Sequence, residues 1–184
     1  MGGANQTNVA ASQDEHYTRA IASFAGALER LSRAYEADPD ERLDLLQEIH
    51  FALWRSFARF DGLCSEATWI YRVAHNTATS HVLKQERRRR QKLVTLDELA
   101  TYRDPTQPDP EAEAGDRQAL AKLTSLIRTL AAPDRQVVLL YLEGLDAGDI
   151  GDICGLSPGA VATKVHRLKA VLSQQFNKGG ARVR

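Results

Sequence analysis

Cysteine is scarce: Cys64 and Cys154 are the only two in 184 residues, one in each half of the chain. Two isolated cysteines build neither a disulfide framework nor a zinc site, and they fit a reducing cytoplasm. Buried, inert thiols are the expectation for both. No apolar run reaches the roughly 18 residues that a membrane-spanning helix needs, so no membrane insertion is expected. The opening MGGANQTNVAASQ lacks the charged start and apolar run of a signal peptide. Strand-like alternation of useful length is missing too, which leaves an all-α fold. His16, His50, His75, His81 and His166 show no metal-ligand spacing. With no nucleophile–base pair and no glycine-rich phosphate loop, neither an enzyme nor a metal or cofactor site is expected.

What is present is charge, in equal and sorted amounts. Lysine plus arginine and aspartate plus glutamate each number 24, for a formal net charge of zero. Residues 84–92 (KQERRRRQK) carry six basic side chains and one acid, residues 97–116 seven acids and one arginine. From Leu156 to the end there are six basic residues and no acid. Such sorting suggests basic faces for a polyanion, separated by an acidic segment.

Helical periodicity divides the chain. Residues 1–13 are small and polar and read as a flexible tail. From 14 to 92 the pattern is helical: Ile21, Phe24, Leu28 and Leu31 share one face, and after the break DPD a stripe of Leu43, Leu46, Ile49, Leu53 and Phe57 follows. A short loop, DGLCSE, precedes a third helix beginning near Glu66 or Ala67. Residues 93–116, with three prolines and the acid run, read as an acidic flexible linker. A second helical block spans 117–178, and 179–184 form a tail. The expectation is two helical domains joined by a linker.

The stretch TWIYRVAHNTATSH, residues 68–81, poses the functional question. On a helical wheel Ile70, Val73, Ala74 and Thr77 form the core-facing stripe. Arg72, His75, Asn76 and Thr79 fall opposite, flanked by Trp69 and Leu83. A solvated surface would account for such a face. Asparagine, however, is a mediocre helix former, and this helix runs straight into Lys84 and Arg87 to Arg90. An aromatic edge, amide groups and trailing cations together suit unstacked, single-stranded nucleic acid.

The C-terminal block carries a second signature. Pro133 suits the first turn of a helix bearing Val137, Leu140 and Tyr141, which Gly144 ends. Asp146 is placed to cap a short helix to Cys154, Gly155 to make a tight turn, and Ser157 and Pro158 to start the next helix. That helix would bury Val161, Val165, Leu168 and Leu172 and expose Thr163, Lys164, Arg167 and Lys169. Short helix, glycine turn and capped basic helix match the helix-turn-helix that enters a DNA major groove. Gly148 and Gly151 weaken the short helix, unless a close approach requires small residues there.

Together, residues 14–176 resemble bacterial RNA polymerase sigma factors of the extracytoplasmic-function (ECF) type. DLLQEIHFALWRSFARFDG resembles that family's D-x-x-Q-E-x-F-x-x-x-W segment, with His50 and Phe51 varying the aromatic position. TWIYRVAHNTATSHVLKQERR is similar to T-W-L-x-x-I-A-x-N-x-x-x-D-x-x-R, with Ser80 where an acid is common. GLDAGDIGDICGLSPGAVATKVHRLKAVL is similar to the family's region 4 signature, with Asp146, Gly148 and Ala162 replacing the usual Ser, Glu and basic residue. The resemblance implies a sigma domain 2 bundle over 14–92 and a sigma domain 4 helix-turn-helix over 117–178. It implies that Asp44, Gln47 and Glu48 dock on the β′ clamp of core RNA polymerase. Phe60, Trp69, Arg72, His75, Asn76, Thr79, Lys84, Arg87 and Arg88 would serve the minus-ten element, with Asn76 capturing a flipped base. Ser157, Thr163, Lys164, Arg167 and Lys169 would hold the minus-thirty-five duplex. The linker would thread near the polymerase channel, domain 4 would meet the β flap, and an anti-sigma protein is implied as a further partner.

Two other readings stay open. A sigma-like mimic would bind an anti-sigma protein without directing transcription, but it need not keep the cations at 84, 87–90, 164, 167 and 169. An ordinary helix-turn-helix repressor would leave Gln47, Glu48 and the Trp69-to-Asn76 face unexplained.

Overall fold

A computed structural model describes the backbone of residues 3–95 and 114–180, and side chains over 13–88 and 117–177. All regular structure among the described residues is α-helical. The order is α1 (Gly3–Tyr35), α2 (Pro39–Phe57), α3 (Glu66–Thr95), α4 (Ala114–Arg128), α5 (Ala132–Leu142), α6 (Ala147–Cys154) and α7 (Pro158–Gly180). Most of the expected linker, residues 96–113, lies outside the described residues.

Local chemistry sets the boundaries. Asp38 caps α2, its carboxylate accepting from the backbone N–H of Asp40 at 2.9 Å and of Glu41 at 3.1 Å, with Pro39 in the first turn. Ser65 starts α3, its hydroxyl accepting from the Thr68 N–H at 3.0 Å. Asp146 caps α6 through the N–H groups of Gly148 and Asp149, at 2.8 and 2.9 Å. Gly155 ends α6 at a left-handed φ of 71°, a conformation that favours glycine. Ser157 then caps α7, accepting from the Ala160 N–H at 3.3 Å.

The first unit, α1 to α3, packs around Leu28, Leu45, Ile49, Leu53, Ile70, Ala74 and Ala78. Full burial of each large side chain contributes about 1.5–3 kcal/mol before chain entropy is counted. The second, α4 to α7, packs around Ile127, Val137, Leu140, Ile150, Val161 and Leu168. The two units meet: α3 touches α1 and α2 on one side and α5 and α6 on the other, while α1 also touches α4.

Several expectations need correction. The stripe of α2 holds at Ile49, Leu53 and Phe57, with Leu46 partly buried, but its first turn is entered by Leu45, which is fully buried, whereas Leu43 is 58% exposed. Of the apolar residues borne by α5, Val137 and Leu140 are fully buried and Tyr141, 40% exposed, lies on its rim. The N-terminal segment is not a tail up to residue 13, because α1 begins at Gly3 and Gln13 is buried. Gln13 donates through Nε2 to the Trp54 carbonyl at 2.7 Å, and Asp14 accepts from the Trp54 indole at 2.9 Å. These bonds to α2 hold the start of the packed helix, an anchor no local pattern announces.

Gly151 in α6 and Gly159 in α7 differ in what surrounds them. A Cβ at Gly151 would lie 2.5 Å from the Leu156 carbonyl oxygen, so this glycine admits the tight turn between α6 and α7. At Gly159 a Cβ would meet nothing within 4 Å. Gly151→Ala is therefore expected to destabilise the fold by about 1–3 kcal/mol, and Gly159→Ala to stabilise it by about 0.4–1 kcal/mol. Chemical denaturation of both variants checks the contrast.

Candidate nucleic-acid interface

The helix α3 is buried on two sides. Of the expected stripe, Ile70 and Ala74 are fully buried while Val73 and Thr77 are only partly so; Ala78, Tyr71 and His75, outside that stripe, are buried as well, the last two at 7% and 1% exposure. His75 is thus not an outward nucleic-acid ligand. Its Nδ1 lies 3.1 Å from the Tyr35 hydroxyl, ring against ring at 66°. Thr79 is half-buried and hydrogen-bonds the same phenol. The Arg135 guanidinium of α5 sits 5.0 Å above the Tyr35 ring. Burial alone pushes the His75 imidazole down to about 3. The physical reason for the correction is tertiary: the side of α3 facing away from α2 is covered by the second unit.

The remaining expected residues form a narrower strip. Asn76 is exposed. Trp69 is half-buried; its indole N–H donates to Ser56 Oγ at 2.9 Å, and its ring tilts against Phe60 at 5.5 Å between centroids. Phe60 in turn packs edge-on to Phe57. These bonds fix the Trp69 plane at the rim of an open cleft of about 400 Å³ lined by Asp61, Leu63, Cys64, Trp69, Arg72 and Asp152. Arg72 donates through Nη2 to the Asp152 carbonyl of α6 at 2.7 Å. Lys84 is exposed, 3.7 Å from Glu48, and Arg87 and Arg88 are exposed. The structure therefore brings Phe60, Trp69, Arg72 and Asn76 to one strip and removes His75 from it.

On α2, Asp44 and Gln47 are exposed and Glu48 is partly so. His81, on α3, points Nδ1 at Glu48 Oε2 at 3.0 Å, while its Nε2 lies 3.0 Å from the Gln85 amide nitrogen, which donates to Glu41. The tautomer with hydrogen on Nδ1 satisfies every member of this chain. Three side chains that sequence reasoning did not assign to this face belong to it: Leu43, Phe51 at 60% exposure and Trp54 at 39%, with the Phe51 and Trp54 rings stacked. Exposed large apolar groups beside an acidic and amide cluster are the mark of a protein-docking surface. Their excess over one helical stripe was the available signal.

The second unit presents the helix-turn-helix. On α7, Val161, Leu168 and Leu172 point inward, and Thr163, Arg167 and Lys169 outward. Lys164 is only partly exposed and pairs with Asp134 of α5, which also lies 3.6 Å from Arg167. Lys169 reaches the Tyr141 hydroxyl at 3.3 Å. Ser157 is exposed but its hydroxyl is engaged as the α7 cap.

Among the described residues, no group of three or more His, Cys, Asp or Glu side chains could hold a metal, and no helix is long and apolar enough to cross a membrane. Burial pushes the Cys154 thiol up to about 11, which keeps it protonated.

A three-helix unit with an aromatic and amide strip, followed by a capped helix-turn-helix, defines a two-part DNA-binding protein. Comparison with known proteins gives the class its family. The Sigma-70 region 2 model matches residues 20–88 and the Sigma-70 region 4 model residues 120–172. The RNA polymerase sigma-E factor of Streptomyces avermitilis is 30% identical over 154 residues, covering 82% of this chain and 79% of that protein. Among solved structures, CnrH in complex with the cytosolic domain of CnrY superposes with a TM-score of 0.63 at 18% identity, over 94% of each chain. RpoE from Bartonella quintana, in complex with the anti-sigma factor NepR, gives 0.65 at 20% identity, over 88% of this chain and 96% of that one. The chain belongs to the ECF-type RNA polymerase sigma factors, which act in transcription initiation.

The buried imidazole makes stability depend on pH. Below about 6.5 the unfolded chain binds a proton at His75 that the folded chain, with its value near 3, does not. Stability is thus complete at neutral pH and falls as pH drops through that window, by about 2 kcal/mol at pH 5 from His75 alone. His50, also lowered by burial, adds in the same sense. Urea denaturation between pH 7 and 5 is expected to show this loss, and His75→Gln, which can keep a bond to Tyr35, to flatten it.

Proposed function

We propose that this chain joins core RNA polymerase, recognises minus-thirty-five and minus-ten promoter elements, and promotes DNA melting. The observation that carries the reading is the strip on α3: an exposed Asn76 beside a Trp69 held by Ser56 and Phe60, on the same chain as a basic recognition helix. A duplex reader alone has no use for it. The exposed face of α2, with Leu43, Asp44, Gln47, Glu48, Phe51 and Trp54, docks on the β′ clamp, and the second unit meets the β flap. Asn76 accepts a flipped base through its amide while Trp69 supplies the stacking edge. Arg72, Lys84, Arg87 and Arg88 hold phosphates of the opened strand. Thr163, Lys164, Arg167 and Lys169 grip the minus-thirty-five duplex, with Ser157 fixing the start of their helix. An anti-sigma protein is the further partner, as NepR is for the Bartonella RpoE.

Run-off transcription with core polymerase on genomic DNA tests the reading. A discrete promoter start is expected. Binding to an anti-sigma protein without any binding to core would instead establish the mimic. Asn76→Ala is expected to reduce promoter opening, read by permanganate footprinting, while duplex binding by the helix-turn-helix stays within about twofold. Phe51→Ala should weaken core binding by about 1–3 kcal/mol, measured by titration of labelled chain. Duplex affinity should fall by roughly 0.9 log units per log unit of salt for each phosphate contacted.

A further inference from the structure

The exposed face of α2 has a support of its own, and it comes from α1. Phe51 and Trp54 form the aromatic pair of that face, with ring centroids 6.2 Å apart and planes at 26°. Phe51 is 60% exposed and Trp54 39%, so the indole backs the outer ring. The indole is itself held. Asp14 accepts the Trp54 indole N–H at 2.9 Å, and Gln13 donates to the Trp54 carbonyl at 2.7 Å. One turn further along α1, the Tyr17 hydroxyl lies 3.2 Å from Nδ1 of His50, the residue before Phe51, with the two rings edge to face at 77°. One turn of α1 thus bonds the turn of α2 that carries the pair. The Sigma-70 region 2 match begins at residue 20, so Gln13, Asp14 and Tyr17 all lie before it.

We propose that Asp14 is a positioning residue for polymerase docking: its carboxylate fixes the plane of Trp54, and Trp54 in turn holds Phe51 in the orientation that core enzyme meets. The inference rests on the assignment of the α2 face to the β′ clamp. The outer torsion of an aromatic side chain has a broad energy well, so a half-exposed indole with no partner for its N–H samples many orientations. A charge-assisted bond to a carboxylate selects one of them. Fixing an aromatic anchor before association removes an ordering cost, and such anchors carry most of an interface's binding energy. Gln13 and Tyr17 fasten the backbone and the His50 ring of the same turn, while Asp14 alone of the three holds the indole.

Titration of core polymerase with labelled full-length chain reads the docking, and the Trp54 indole N–H resonance, identified by its loss in Trp54→Phe, reports the bond. Asp14→Ala is expected to move that resonance and weaken core binding by about three- to tenfold. The Trp69 indole resonance stays in place, which shows that the bundle is folded. Asp14→Asn keeps an acceptor oxygen and is expected to bind core within about twofold of the parent. In the Trp54→Phe background, which has no indole N–H, Asp14→Ala is expected to have no further effect. Equal losses in Asp14→Asn and Asp14→Ala would mark a direct charge contact with polymerase and overturn the proposal. A loss that persists in the Trp54→Phe background, or an unchanged affinity in Asp14→Ala, overturns it as well. Phe51→Ala separates the two levels: unchanged affinity there removes the docking reading and this inference with it, whereas a loss there with none in Asp14→Ala removes the positioning role alone.

Discussion

The structure turns on one phenol. Tyr35 ends α1, bonds His75 of α3 and lies under the Arg135 guanidinium of α5, so a single ring ties two helices of the first unit to the second. Burial pushes the ionisation of Tyr35 to higher pH and the protonation of His75 to lower pH, and both groups stay uncharged at neutral pH. Arg135 keeps its charge by other means: it donates to the carbonyls of Arg128 and Leu130 while facing the ring. A buried cation is costly unless hydrogen-bonded, and here backbone carbonyls at and just beyond the end of α4 supply the acceptors.

A consequence of burying α3 on two sides is that little of it remains for recognition. Asn76 and Trp69 occupy what is left, and the groups beneath them are not free to move. Trp69 is held at its indole by Ser56 and at its face by Phe60, which itself rests on Phe57. On the proposed reading, such support holds an aromatic platform in place before any base arrives, which lowers the ordering cost of binding.

Features encoded by a few adjacent residues were legible in the amino-acid order. Asp146, Gly155, Ser157 and Pro158 announce the helix-turn-helix because caps and left-handed glycines are local devices, and the start of α3 at Glu66 follows from the loop before it. The all-α fold and the family were legible too. Long-range packing was not. The stripe of α2 is ambiguous because Leu43, Leu45, Leu46, Phe51 and Trp54 make the helix apolar on most sides; only the position of α1 and α3 decides that Leu45 goes inside. His75 was misplaced for the same reason: a wheel drawn for one core cannot show the second surface, which comes from residues some sixty positions later. Gln13 anchors through a side-chain bond to a backbone carbonyl 41 residues away, which no periodicity records.

Asp134 has a consequence of its own. One carboxylate at the start of α5 is shared by Lys164 and Arg167 of the recognition helix. On the proposed reading, a phosphate approaching those two cations meets groups that already have an internal anion, so contact is a change of partner as well as a displacement of ions from DNA. On that same reading the carboxylate acts as ballast, trimming indiscriminate attraction to any polyanion while costing least where the groove geometry lets a base edge repay the exchange.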